Sequence, residues 1–299
     1  MKNVNCPFCG SKTIKEIKAI ISPFNQKKYK LMNCFECELQ FFTPLIFENV
    51  YESETIKEYA NFHKGRIIFP PWTKETIRVL RNLSINLNDK KILEIGGGDG
   101  INYTALNEIY SIETKNYYVV ELDSKSVEQC KARGLTNIIN SAFGPKTVSK
   151  INGKFDVVLL LEVLEHQINP KEFIKLVFNL VAQNGIVVIT VPNRERFFIN
   201  YDEFQGDLPP HHFLRFNKTF FRKNFASSLY YLKDFSHQFK IKNFREAALK
   251  LTSIFKVNRK GWVLFVPFIP IIKLVMGIMA KIKGEGIIVI LKKNDHFQK

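Results

Sequence analysis

From Lys90 to Asn193 the chain alternates short apolar runs with segments whose apolar residues recur at helical spacing. Lys91-Ile92-Leu93-Glu94-Ile95 reads as a strand. Gly96-Gly97-Gly98-Asp99-Gly100 follows as a glycine-rich turn, and Ile101 to Tyr110 as a helix. Tyr117 to Glu121 is a second strand, Ser124 to Arg133 a helix with Ser124 at its N-cap, and Ile138-Ile139 a short third strand. Phe155 to Leu161 is apolar enough for a parallel sheet buried on both faces. A helix is expected from Pro170, a favourable first helical residue, to Gln183, and a strand from Ile186 to Val191. Asn217 to Ser227 reads as a helix, with Leu229 to Leu232 and Gly286 to Leu291 as the last two strands. This order predicts an α/β fold with a doubly wound, mostly parallel sheet whose last strand runs antiparallel. Ahead of it, Thr13 to Ile21 and Tyr29 to Met32 read as the arms of a β-hairpin.

Between the last two strands lies an unusually long stretch, read as a helical insertion at about 236–284. Ile241, Phe244, Ala248, Leu251 and Phe255 share one helical face, and Trp262 to Ala280 is almost wholly apolar. The apolar part approaches the length of a membrane span. A single crossing would separate two strands that must pair, so a surface anchor, a lid or plain packing are the readings left. Charge sharpens this. The chain of 299 residues carries a formal +16, and His212 to Lys299 holds 18 Lys/Arg against 4 Asp/Glu. An anionic membrane surface is therefore a candidate partner. With 45% hydrophobic and 24% charged residues the chain can bury a large core and is not a disordered one. Met1 to Thr13 lacks the apolar run of a signal peptide, which points to a cytoplasmic protein, peripheral at the inner membrane face if the anchor forms.

Four of the five cysteines form two CxxC knuckles, Cys6-Pro7-Phe8-Cys9 and Cys34-Phe35-Glu36-Cys37. Two such pairs can close a tetrahedral thiolate site, so Cys6, Cys9, Cys34 and Cys37 are expected to bind a structural zinc. Residues 1–45 then form a zinc ribbon, 46–85 a helical linker or N-terminal lid, and 86–299 the large domain. Redox motifs are the alternative, but neither pair is followed by a βαβ pattern. Cys130, in a helical segment, reads as an ordinary buried thiol.

The turn after the first strand of the large domain carries the ligand chemistry. Glu94-x-Gly96-x-Gly98-x-Gly100 lets backbone approach a ligand without side chains in the way. Glu121, about 20 residues on at the next strand end, can accept both hydroxyls of an adenosine ribose. A nicotinamide dinucleotide prefers the longer GxGxxG turn; here the third glycine comes one residue early. S-adenosylmethionine has no phosphate and carries a sulfonium cation, so acidic Glu94 and Asp99 suit it better.

Leu93-Glu94-Ile95-Gly96-Gly97-Gly98-Asp99-Gly100, Glu121-Leu122-Asp123 and Leu161-Glu162-Val163-Leu164-Glu165-His166 resemble the motifs of class I S-adenosylmethionine-dependent methyltransferases. The last hexapeptide is similar to that of the ubiquinone-biosynthesis O-methyltransferases. The ribbon, the Cys37-Glu38-Leu39-Gln40-Phe41-Phe42-Thr43-Pro44 stretch and the tyrosines Tyr51 and Tyr59 resemble a bacterial subgroup of that class. The resemblance implies a Rossmann-like sheet, with Gly96, Gly98 and Gly100 around the amino-acid end of the cofactor and Glu121 on its ribose. Glu94 and Glu162 join the cofactor-binding set. Where the family usually offers an Asp near adenine, this chain has Ser141-Ala142-Phe143, so Ala142 and Phe143 are expected to pack on the base.

Acceptors should sit beyond the C-terminal strand ends. His166, beside Glu165, and His211 and His212, in the stiff Pro209-Pro210-His211-His212-Phe213 stretch, are the candidate catalytic groups. A second metal site on the His pair is the weaker alternative, because no Cys or clustered carboxylate accompanies it in sequence. The expected reaction is methyl transfer to a small-molecule, sugar or lipid-linked acceptor. The rivals are an RNA methyltransferase gripping a backbone with its ribbon and basic C-terminal third, and a non-catalytic cofactor- and zinc-binding scaffold.

Overall fold

The computed structural model describes residues 4–46, 69–196, 207–236 and 283–294. The N-terminal strands are β1 (Ile14–Ile21), β2 (Lys28–Cys34) and β3 (Gln40–Thr43). Helix α1 (Pro71–Asn82) leads into β4 (Ile92–Ile95), α2 (Ile101–Tyr110), β5 (Tyr117–Glu121), α3 (Ser124–Ala132), β6 (Asn137–Asn140) and a short α4 (Pro145–Val148). Then come β7 (Phe155–Leu161), a 3-10 turn (Leu164–His166), α5 (Pro170–Leu180) and β8 (Val181–Pro192). After them lie β9 (Leu214–Arg215), α6 (Lys218–Asn224), β10 (Leu229–Phe235) and β11 (Gly286–Lys292).

Seven strands form the large sheet in the order β10-β11-β8-β7-β4-β5-β6. The pairs among β8, β7, β4, β5 and β6 are parallel, and β11 runs antiparallel to both β8 and β10. This is the expected Rossmann-like α/β sheet with its order reversing at β4. Strand alternation splits the core between two faces. Leu93, Val158, Leu160, Val187 and Ile189 look to one side with Phe173 and Val177 of α5. Ile92, Val157, Leu159, Val188 and Ile290 look to the other with Val79 and Leu80 of α1 and Leu106 of α2.

Several boundaries differ from the sequence reading, among them that of the strand from Leu229, which runs on to Phe235. The helix from Pro170 stops at Leu180, not Gln183, because buried Val181 pairs with Phe155 and so opens β8 five residues earlier than expected. Asp123 rather than Ser124 is the N-cap of α3: its carboxylate accepts from the Ser126 N–H at 2.9 Å. Helix α6 ends at Asn224, before Ser227.

The N-terminal hairpin belongs to a four-stranded sheet, β1-β2-β3-β9, whose last strand comes from the large domain. Neither β3 nor β9 is foreseen by sequence. Phe41 pairs with Leu214, the Phe42 N–H donates to the Phe213 carbonyl at 2.8 Å, and Ser22 Oγ donates to the Pro209 carbonyl. Leu31, Phe41 and Phe42 merge into one buried cluster with Phe213, Phe216 and Phe220. The ribbon thus lies directly against the stretch carrying His211 and His212. No helix among the described residues is long and apolar enough to cross a membrane. The expected helical insertion, including Trp262 to Ala280, lies mostly outside the described residues, as do Tyr51 and Tyr59.

Candidate active site

Gly96, Gly98 and Gly100 all take the left-handed backbone conformation, with φ of +72°, +54° and +77°. At Gly96 a Cβ would stand 2.7 Å from Val163 Cγ2, so the turn is pressed against the loop after β7. At Gly98 a Cβ would meet nothing within 4 Å: that side of the turn faces open space. The Glu121 carboxylate, at the tip of β5, holds the turn from the neighbouring strand. One oxygen accepts from the Gly98 N–H and the other from the Asp123 N–H, each at 2.8 Å. Arg133 braces the far side through the Asp99 carbonyl at 2.7 Å and the Asp99 carboxylate at 3.1 Å. Cys130 is a buried thiol that donates to the Gly98 carbonyl.

Glu94 is placed beneath the turn, in the core. Its carboxylate accepts from Asn102 Nδ2 at 2.6 Å and from the Tyr117 hydroxyl at 2.7 Å. Burial pushes its pKa up to about 7, against the pull of these two donors. With both oxygens engaged, Glu94 supports the turn rather than lining the space above it. Ala142 is exposed and Phe143 half-buried beside β6; the Phe143 ring meets Phe173 edge-on at 5.2 Å, and the Ser141 N–H is tied to the Glu121 carbonyl.

The second cluster gathers beyond the ends of β7 and β8. The His166, His211 and His212 rings lie with centroids 4.7 Å apart, His211 stacked on His212. His166 Nδ1 lies 2.7 Å from the His211 carbonyl, so it carries the proton and leaves Nε2 a lone pair. His212 Nδ1 faces the Asp207 carboxylate at 3.2 Å, and its Nε2 stands 3.9 Å from Glu165. Burial first, then the neighbouring histidines, holds His166 and His212 well below the usual imidazole pKa, so both are neutral near pH 7. Glu165 is fully buried, and neither of its oxygens has a hydrogen-bond partner among the described residues; burial and then Glu162 push its pKa well up. Glu162, at φ +57°, is pushed up by burial to about 7, and its Oε1 is likewise without a partner. Three histidines whose ligand atoms lie within 4.8 Å of one another can share a cation. Sequence reading found no carboxylates beside the His pair, yet the fold brings Glu165 and Asp207 to it.

Three comparisons bear on this geometry. A family profile described as a methyltransferase domain matches residues 72–244, more than half of the chain. The chain belongs to the methyltransferase domain family. The chain is 27% identical over 108 residues to a ubiquinone biosynthesis O-methyltransferase of Caulobacter sp., a match covering 35% of this chain and 41% of that one. A namesake from Azotobacter vinelandii is 26% identical over 141 residues, covering 46% and 56%. The chain thus spans about half the length of these relatives. Among solved structures it shares its fold with a methyltransferase from a Haloferax volcanii complex with the Trm112 activator (TM-score 0.55, 10% identity, 85% and 100% covered). It also shares it with the magnesium protoporphyrin IX methyltransferase of Synechocystis PCC 6803 with bound SAH (TM-score 0.51, 12% identity, 82% and 97% covered).

At the N-terminal end of the chain the four knuckle cysteines converge. Cys6 and Cys37 Sγ are 3.5 Å apart, as are Cys9 and Cys34, and all four lie within 4.8 Å of one another. Four thiolates at about 2.3 Å from zinc span tetrahedral edges of roughly 3.8 Å, so the cluster fits that ion. The Cys37 thiol beside it draws the Cys6 pKa down to about 5, while burial raises Cys9 to about 11. Asn224 Nδ2 donates to the Cys37 carbonyl at 2.9 Å and Arg194 pairs with Glu38 at 3.0 Å, fastening this knuckle to the large domain. Asp207, Arg194, Arg196 and Arg215 are site residues that sequence reading missed. A signal existed for Asp207 and Arg215, which flank Pro209 to His212 within a few positions.

Proposed function

We propose that this methyltransferase-family chain moves a methyl group from S-adenosylmethionine to a small-molecule, sugar or lipid-linked acceptor. The observation carrying this reading is the Glu121 carboxylate held against the Gly98 N–H at a turn whose outer side is open. Released from Gly98 and Asp123, that carboxylate can accept two ribose hydroxyls, while the turn's backbone meets the amino-acid end. Bound there, S-adenosylmethionine supplies an already activated methyl, so the protein's task is alignment and proton removal.

His212 is suited to the second task. Asp207 fixes its Nδ1–H, which leaves a neutral imidazole with Nε2 free to take the acceptor's proton. His211 stacks on it and His166 backs it, so the base has few rotamers to choose from. The four-cysteine cluster takes a structural zinc that stiffens the ribbon, and the ribbon in turn pins Pro209 and Phe213 on either side of the histidines.

The test is incubation of the full chain with methyl-labelled S-adenosylmethionine and cell extract, followed by fractionation. Label entering the small-molecule or lipid fraction is the expected result. Label confined to RNA would contradict the acceptor class, and no incorporation would contradict the activity.

A further inference from the structure

Arg215, on β9, is 8% exposed, and its Nε–H has no hydrogen-bond partner among the described residues. The Phe42 ring lies under its guanidinium at 5.0 Å. The charges around it are mostly of its own sign. Burial and then Arg196 lower its pKa to about 10, which leaves it charged at neutral pH, and Lys18 and His212 both feel it. The nearby carboxylates are committed: Glu38 to Arg194, and Asp207 to Arg196 and His212. A buried ion with no counter-ion is among the most costly features a fold can carry, and proteins retain one where something completes it.

What lies beside it is a cleft. Pro192, Arg194, Arg196, Asp207, His212 and Arg215 line about 210 Å³ of empty space, solvent mouth included. The cleft opens beyond the C-terminal end of β8, on the side of the sheet where ligands of open α/β folds bind. A guanidinium fork matches the two oxygens of a carboxylate or a phosphate.

We propose that this cleft binds an oxyanion of the methyl acceptor, a carboxylate or a phosphate, with Arg215 as its fixed counter-charge. The assignment to the acceptor rests on the methyl-transfer reading; the anion site itself does not. Anchoring a charged group here holds the rest of the acceptor against His212, which lines the same cleft.

The experiment uses the full chain with its zinc, titrated with inorganic phosphate and separately with acetate, against chloride at matched ionic strength. Thermal melting and calorimetry give the affinity. A saturable rise in Tm with phosphate or acetate above the chloride control is expected, and the better anion identifies the acceptor's group. Arg215→Met is expected to raise the Tm of the anion-free protein, because an unpaired buried charge is gone, and to weaken the anion at least tenfold. Arg215→Lys, which keeps the charge without the fork, should fall between the two. No saturable response in the unsubstituted protein, equal anion affinity in Arg215→Met, or a lower anion-free Tm in that variant would each overturn the site. S-adenosylhomocysteine affinity, measured on the same samples, is expected to be unchanged by Arg215→Met. Its absence in the unsubstituted protein would sink the methyl-transfer reading while leaving the anion titration to stand or fall alone.

Discussion

The two halves of the site are built in opposite ways. Around the glycine turn every charged group named is answered from within: Glu121 by Gly98 and Asp123, Asp99 by Arg133, Glu94 by Asn102 and Tyr117. On the proposed acceptor side, among the described residues, Glu165 is buried with neither oxygen partnered and Arg215 is buried with its Nε–H unanswered. The first half is a self-supported cradle that only has to trade two backbone contacts for a sugar. The second carries desolvation cost that a bound partner would relieve. On the proposed reading, the cofactor site is complete in itself and the acceptor site is incomplete without its ligand.

That contrast can be broken by substitution. The largest effect is expected at His212. His212→Ala should lower kcat by roughly 10²–10⁴-fold, the range for loss of a general base, with S-adenosylhomocysteine affinity unchanged. Equal loss of kcat and cofactor affinity would mean that the two halves are one unit. A smaller effect tests the cradle's foundation. Glu94 has its pKa raised in the folded state to about 7, above the ordinary carboxylate value of 4.5. The stability of its neutral form is therefore present below about pH 4.5 and lost as pH rises through 7. Glu94→Gln does not titrate, so the variant should gain on the unsubstituted protein by about 3 kcal/mol between pH 4.5 and 8. Denaturant melts at the two pH values check this; a difference independent of pH would mean that Glu94 is not buried in its charged form.

The same contrast governs what could be read from sequence. The cradle is local. Its glycines and Glu121 sit at strand ends within about 25 positions, and the short apolar runs from Ile92 to Ile95 and from Tyr117 to Val120 announce the strands. Its spacing alone places Glu94 among the ligand-binding residues, because spacing says nothing of which way a buried carboxylate turns. The acceptor side is assembled at a distance. β9 is two residues long, too short for any periodic signal, and its partner β3 lies more than 170 positions upstream. Without that pairing nothing in the sequence puts the ribbon beside His211 and His212, or turns Arg215 inward. The Asp123 cap was legible in kind but off by one residue, since Asp123 and Ser124 are both good caps.

On the proposed reading, the turn after β4 and the carboxylate at the tip of β5 bind an adenosyl sulfonium compound. Calorimetric titration of the full chain with S-adenosylhomocysteine, beside the Glu121→Ala variant, tests it most directly. Binding by the unsubstituted protein and a loss of about 100-fold in the variant, from two charge-assisted hydrogen bonds, is the predicted result. No measurable binding by the unsubstituted protein, or equal affinity in both, would contradict it.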